Sequence, residues 1–316
     1  ANTANEPAIL INPSSPANIV AGSNTANVYR SSDTGRTWKS EVVTSPYGVW
    51  GDPSFCADTA GDLYFFHLSN PRVGSWIDRI VWQKSTDQGV TWSSGTFTGK
   101  NGVKEQDKEW IVVDTRNNNI YVTWTQFDSY NSTTPGDSTI ILFSKSVDAG
   151  ESWSAPLRIS KIAGTCLDGD NAVEGAVPAV GPNGEIYVSW AGANGLVFNT
   201  SSDEGVTWLT QETPIDPMPT GWDYDIPGLM RANGLPITLC DLSDGPNRGT
   251  IYVNWSDQRN GPDNTDVFMT RSTDGGVTWA PTSKINSDNT DKHQFLTWMT
   301  IDQVSGYLYC VFYDRS

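Results

Sequence analysis

The chain has 316 residues, 37% of them hydrophobic, with 29 glycines and 14 tryptophans, enough for a sizeable core of strands joined by tight turns. Its formal net charge of −16 excludes the basic footprint that nucleic acid requires and argues against an anionic membrane partner. No apolar run reaches the length of a membrane span, and Cys56, Cys166, Cys240 and Cys310 lack metal-ligand spacing.

Taken in chain order, one pattern of elements recurs. Glu6–Asn12 and Ala17–Ser23 read as strands, and a third from Ala26 runs into SSDTGRTW (Ser31–Trp38). Asp52–Asp58, Gly61–His67 and Asp78–Gly89 repeat the order and carry STDQGVTW (Ser85–Trp92). Lys108–Asp114, Asn117–Trp124 and Ser138–Gly150 follow, with SVDAGESW (Ser146–Trp153). Gly175–Gly181, Gly184–Trp190 and Gly195–Gly205 bring SSDEGVTW (Ser201–Trp208), and Leu235–Asp241, Gly249–Trp255 and Thr265–Gly276 bring STDGGVTW (Ser272–Trp279). Leu296–Asp302 and Gly306–Asp314 open a sixth repeat that has no octet. Three of the four cysteines fall in such apolar strand patterns and read as buried thiols, with disulfide pairing left open.

The frame S-x-D-x-G-x-[TS]-W therefore occurs five times, at intervals of about 60 residues, which marks a repeat architecture. Its chemistry is that of a fastener. Asp33, Asp87, Asp148, Asp203 and Asp274 can accept hydrogen bonds inside a tight turn. The glycine supplies a positive φ, and the tryptophan can bury its ring between neighbouring repeats while its indole N–H finds a partner. A catalytic aspartate is not needed five times over. Four antiparallel strands per repeat, set radially, predict an all-β, six-bladed β-propeller with an incomplete sixth blade. The single domain spans 1–316, with blades at about 6–44, 50–98, 107–160, 174–214, 235–286 and, in part, 295–316. The half-blade predicts that the natural polypeptide continues past Ser316. It also leaves the edge of Gly306–Asp314 open to pairing with another chain.

The octet is the Asp-box, or BNR repeat, and the layout resembles the sialidase-like propellers over essentially the whole chain. The resemblance implies a secreted or cell-surface protein that is carbohydrate-active or glycan-binding, with a glycan or glycoprotein as partner. A noncatalytic adhesion module, another glycosidase or a polysaccharide lyase are alternatives on the same scaffold. The resemblance puts the octets opposite the active face. That face is then built from Tyr47–Asp52, Asn101–Trp110, Cys166–Gly175 and Met218–Arg231 between blades, and from His67–Arg79, Thr125–Asp137, Ser256–Asp266 and Tyr313–Ser316 within them.

Glu6, Asp52, Glu109 and Glu174 stand where innermost strands begin. They could converge on one shallow pocket, or cap strand ends. Sialidases hold their substrate with three arginines and use a tyrosine nucleophile with an aspartate as acid/base. Here Glu6, in NEPAIL, stands where the first arginine is expected, and Ser23–Asn27 has no aspartate, so ordinary sialidase activity is not expected. Asp52, Glu174, Tyr224 and Tyr313 are the catalytic candidates. Trp222, Arg231, Arg259 and Arg315 are the substrate-binding candidates, although Arg259 and Arg315 each follow an aspartate and also read as structural Asp–Arg pairs. No cofactor is required. Asp168 and Asp170, near Glu174, and Asp257 and Asp263, near Asp266, supply oxygen ligands of the kind Ca²⁺ takes, or else form solvated acidic loops. His67 and His293 are too far apart in sequence to read as a metal pair.

Overall fold

A computed structural model of the chain describes residues 5–316, and among them every regular element is a strand. The first sheet joins β1 (Ala8–Ile11), β2 (Ile19–Ser23), β3 (Asn27–Ser31) and β4 (Lys39–Val42) in chain order. The second joins β5 (Ser54–Ala57), β6 (Leu63–Leu68), β7 (Ile80–Ser85) and β8 (Thr96–Thr98). The third joins β9 (Glu105–Asp114), β10 (Asn119–Phe127), β11 (Ser138–Ser146) and β12 (Leu157–Arg158), with β13 (Gly164–Thr165) added on β11. The fourth joins β14 (Glu174–Val180), β15 (Ile186–Gly192), β16 (Gly195–Ser201) and β17 (Thr213–Asp216). A small ribbon, β18 (Asp223–Tyr224) with β19 (Ala232–Asn233), precedes the fifth sheet of β20 (Ile237–Cys240), β21 (Ile251–Asp257), β22 (Asp266–Ser272) and β23 (Ser283–Lys284). β24 (Gln294–Ile301) and β25 (Leu308–Asp314) pair by themselves.

Burial follows strand order within a sheet. The second strands β6 and β10 are buried at every position, whereas β4, β12 and β23 are exposed throughout. A strand buried on both faces needs a continuous apolar run rather than an alternating one, and LYFFHL and NIYVTWTQF approach that. The chain divides into two compact units, Ala1–Tyr130 with Leu142–Leu157, and Asn131–Ile141 with Arg158–Ser316. In the first, Val28, Val43 and Phe65 form a core with Phe55 and Trp92 packed against it. In the second, Trp222, Trp255, Phe268 and Leu196 share a core with Trp279 against it.

Each octet closes the turn between the third and fourth strands of its sheet. The serine hydroxyl donates to the aspartate at 2.7–2.8 Å and accepts the glycine N–H at 2.8–2.9 Å. The Thr or Ser at the seventh position donates its N–H at 2.8–2.9 Å and its hydroxyl at 2.5–2.7 Å to the same carboxylate. All five glycines have φ between 80° and 90°. The residue before each is also left-handed, which the motif does not announce: Thr34, Gln88, Ala149 and Glu204 have φ of 57–63°, and Gly275 has 75°.

The octet tryptophans correct one expectation. Trp153 lies edge-on against Phe66, and Trp279 against Phe198, so each covers the sheet before its own. Trp38 belongs to the first sheet, has no such partner among the described residues of its unit, and is 43% exposed. Only Trp38 and Trp208 donate their indole N–H, each to the octet glycine carbonyl, while the indole nitrogens of Trp92, Trp153 and Trp279 are buried without a partner. Packing of the ring, rather than its N–H, fixes these residues. Among the cysteines, Cys310 in β25 is exposed and Cys56, Cys166 and Cys240 are buried. β25 has one paired neighbour, so its apolar pattern does not bury it.

A second recurrent feature lies where innermost strands begin. Lys108 in β9 (φ 54°), Gly175 in β14 (φ 73°) and Leu296 in β24 (φ 51°) are left-handed, and the pairing register slips beside each one. Glu6 (φ 47°) and Asp52 (φ 52°) take the same conformation just before β1 and β5. Such bulges re-aim side chains at the end of a sheet, and strained non-glycine residues of this kind cluster at functional sites.

Candidate functional site

In the first unit the left-handed residues bring charged groups together. The Lys108 ammonium lies 3.2 Å from the Asp52 carboxylate and 3.8 Å from that of Glu6. The Asn24 amide donates to Glu6, and its carbonyl oxygen accepts the Asp52 N–H at 2.7 Å. Gly51 packs so tightly here that a Cβ would fall 2.1 Å from Asn24 Oδ1. Burial pushes the Glu6 carboxyl up from 4.5, the Lys108 charge draws it back and the Asp52 charge pushes it up again, for a net rise.

Glu109, next to Lys108 on β9, is 2% exposed, and neither of its carboxyl oxygens is bonded to another residue. Burial first, and then the Asp52 charge, hold it well above the ordinary 4.5. Beside it, Asp52 faces a lysine across 3.2 Å. This pairs a buried acid with a cation-held carboxylate.

The same unit carries an aromatic row. Trp50, two residues before Asp52, meets Trp76 edge-on at 5.5 Å; Trp76 meets Tyr130 at 5.5 Å, and Tyr130 meets Phe127 at 4.7 Å. Asp78, buried in the same unit, accepts Arg79 at 2.7 Å and Lys100 at 2.6 Å. His67 is buried, and burial lowers it to about 4. It bonds Leu68 and Gln83 and serves the core.

In the second unit Glu174 is fully buried at the start of β14. Trp222 is a core residue, 1% exposed. Tyr224 is buried, with its hydroxyl on Ser256 and the Asn233 carbonyl, and burial raises it. Tyr313 is exposed and stacks on Phe295. The arginines are engaged. Arg231 pairs with Asp168 at 2.9 Å, Arg259 with Asp257 at 2.5 Å and Asp216 at 2.7 Å, and Arg315 donates to the Pro227 carbonyl at 2.6 Å. Asp170 accepts the Asp223 N–H, and Asp263 lines an open cavity of ≈ 370 Å³ with His293 and Arg315. Among the described residues no group of three or more His, Cys, Asp or Glu side chains is arranged to hold a metal. Sequence reasoning named Glu6, Asp52, Glu109 and Glu174 as residues that could converge; the first unit holds Glu6 and Asp52 on Lys108, with Glu109 next to it in sequence, while Glu174 belongs to the second unit. It did not single out Lys108 or Asn24, which tie Glu6 to Asp52; the charge of Lys108 beside Glu109 was the readable sign.

No protein-family model and no curated protein matches the chain. Solved structures do. An α-L-arabinanase of Penicillium chrysogenum, complexed with arabinobiose, is 17% identical with a TM-score of 0.61, over 98% of this chain and 87% of that one. An ulvan lyase from a new polysaccharide lyase family is 15% identical with a TM-score of 0.55, over 89% and 69%. The NanB sialidase of Streptococcus pneumoniae is 10% identical with a TM-score of 0.54, over 93% and 71%. The likeness shows the fold, a β-propeller built of four-stranded antiparallel sheets, whose structural neighbours are carbohydrate-active enzymes.

Proposed function

We propose that this chain is a six-bladed Asp-box propeller, secreted or held at the cell surface, that cleaves a glycosidic bond with the carboxyls of its first three sheets. β24 and β25 are read as the inner half of the sixth blade. The observation that carries the reading is Glu109, a buried carboxyl whose two oxygens are bonded to no other residue, in the same unit as the Lys108-paired Asp52, whose charge pushes it up. Glycoside cleavage needs one carboxyl that gives a proton to the leaving oxygen and another that stays ionised to activate water or attack the sugar. Glu109 takes the first part, which requires its buried carboxyl to become accessible to the leaving oxygen when substrate binds, and Asp52 the second, with Glu6 and Asn24 positioning Asp52. The neighbours named as arabinanase, sialidase and lyase support a glycan as substrate. Sialic acid is disfavoured, because Arg231 and Arg259 are committed to aspartates and Arg315 to a backbone carbonyl.

The test is a hydrolysis screen with purified protein on aryl α-L-arabinofuranoside, other aryl glycosides and polysaccharides. Turnover should appear on at least one glycan and fall by about 10²-fold or more in Glu109→Gln, the usual weight of a positioned general acid. Turnover that survives both Glu109→Gln and Asp52→Asn would overturn the assignment, as would a product carrying the unsaturated sugar of a lyase.

A further inference from the structure

The two tryptophans of the aromatic row are incompletely buried. Trp50 and Trp76 are 40% and 38% exposed, although a tryptophan left in water forfeits the burial that normally justifies its size. Their supports, by contrast, are rigid. Gly48 approaches so closely that a Cβ would fall 1.9 Å from the Asn70 carbonyl oxygen, and the Trp50 N–H donates to the Leu68 carbonyl at 2.9 Å. Trp76 precedes Ile77, which is buried, left-handed and bonded through its N–H to Ser69 and through its carbonyl to Gln106. Tyr130 donates its N–H to Glu105 at 3.2 Å. Trp50 and Trp76 are thus exposed rings on braced loops, preorganised to stack a ligand beside the half-buried Tyr130.

The row also has a direction. Trp50 stands two residues from Asp52. Tyr130 is tied to Glu105, which lies four residues before Glu109 on the same strand, about 10–13 Å along it at ~3.3 Å per residue. A ligand lying on the row while its bond is cut at Glu109 is therefore longer than one sugar. Its charge is constrained as well. The field of a chain with net charge −16 disfavours an anionic ligand, and Arg79 and Lys100 are held by Asp78, Lys104 by Asp128 and Lys108 by Asp52. Arg72, exposed in the loop before Trp76, is a cation that could oppose this, so the anionic probes below test it directly.

We propose that Trp50, Trp76 and Tyr130 form a stacking subsite for an uncharged oligosaccharide, whose chain lies over the rings while the bond to be broken is presented to Glu109 and Asp52. The subsite rests on the glycan-cleaving reading above and adds to it the substrate class: a neutral chain rather than a single sugar or a uronate or sialate polymer.

Glu109→Gln protein, which should bind without cutting, is titrated with neutral hexasaccharides (arabino-, xylo-, cello- and manno-hexaose), with the matching monosaccharides, and with sialyllactose and ulvan oligosaccharides. Calorimetry and tryptophan fluorescence report binding. At least one neutral hexasaccharide should bind and perturb the fluorescence. Trp50→Ala and Trp76→Ala should each weaken it about tenfold, the loss of one stacked aromatic contact, with the folded state retained by circular dichroism, and Trp→Phe should restore part of it. Binding confined to the anionic probes, no neutral binding, or neutral binding unmoved by both alanine variants would overturn the subsite. Turnover measured alongside separates the two ideas. Glu109-dependent cleavage indifferent to Trp50 and Trp76 sinks the subsite and leaves the catalytic reading. Tryptophan-dependent binding by a wild type that cleaves nothing sinks the catalytic reading and leaves the subsite.

Discussion

At the scale of single residues, the same side-chain chemistry is set to opposite ends by its surroundings. Asp33, Asp203 and Asp274 each accept a Thr hydroxyl, a Thr N–H and a Ser hydroxyl, which lower them from 3.8 to about 2. A depressed carboxyl contributes stability above its unfolded value and loses it as pH falls through the folded one. The melting temperature should therefore drop between about pH 4 and pH 2. In that window Asp203→Asn should flatten the decline, with activity near neutrality intact. Glu109 has the opposite sign. Its raised folded value means stability is lost as pH rises through it. Glu109→Gln should thus melt at a higher temperature than wild type, by a margin wider at pH 8 than at pH 4, while turnover collapses. A variant that melts lower at both would show that the carboxyl is satisfied after all.

At the scale of elements, the turn after each third strand combines a left-handed pair with close packing, and the five copies differ in how much room they leave. A Cβ on Gly276 would fall 2.1 Å from Phe198, and one on Gly150 would fall 2.6 Å from Trp82, whereas on Gly35 the nearest atom is 3.6 Å away. Gly35→Ala should cost about 1–2 kcal/mol, the left-handed penalty alone. Gly276→Ala and Gly150→Ala should cost more, as read from denaturant midpoints. Equal costs at all three would mean the neighbouring rings shift freely. The octet made these turns legible in the sequence, because each bond within them spans at most four residues. The inner-strand bulges were not legible. Glu6, Asp52, Lys108 and Leu296 share a conformation without sharing a residue type, since the strain is imposed by pairing with a distant strand. The β18–β19 ribbon was missed for a similar reason: two paired residues on each side leave no periodicity to read.

At the scale of the molecule, charge and repetition answer different questions. The surplus of 36 acidic over 20 basic residues sets a field that disfavours anionic ligands, and the arginines that might have countered it locally are paired. Purified protein should therefore release no sialic acid from an aryl sialoside at an enzymatic rate, and release at such a rate would refute this. The repeats made the sheets readable almost to their ends. They could not separate Glu109 from the other strand-start carboxyls, because burial and the Asp52 charge belong to the assembled site. The loop Met218–Arg231 likewise suggested Trp222 as a substrate contact and Tyr224 as a catalytic residue, when loop composition alone does not distinguish a ring facing solvent from one folded into a core.

The local bonding of the octets also bears on how such a chain acquires its fold. A propeller is rich in non-local pairing, and folds of that kind form slowly, exposing unpaired edges while they wait. A turn closed by bonds between residues two and four apart needs no distant partner and can form on the microsecond scale of an isolated hairpin. Five such turns would each fix the register of a third and fourth strand before the sheets find one another. Substitutions at Asp87 or Asp148 should then slow refolding more than they hasten unfolding. The ring contacts of Trp153 with Phe66 and of Trp279 with Phe198 join successive sheets, and their loss should fall mainly on the unfolding rate.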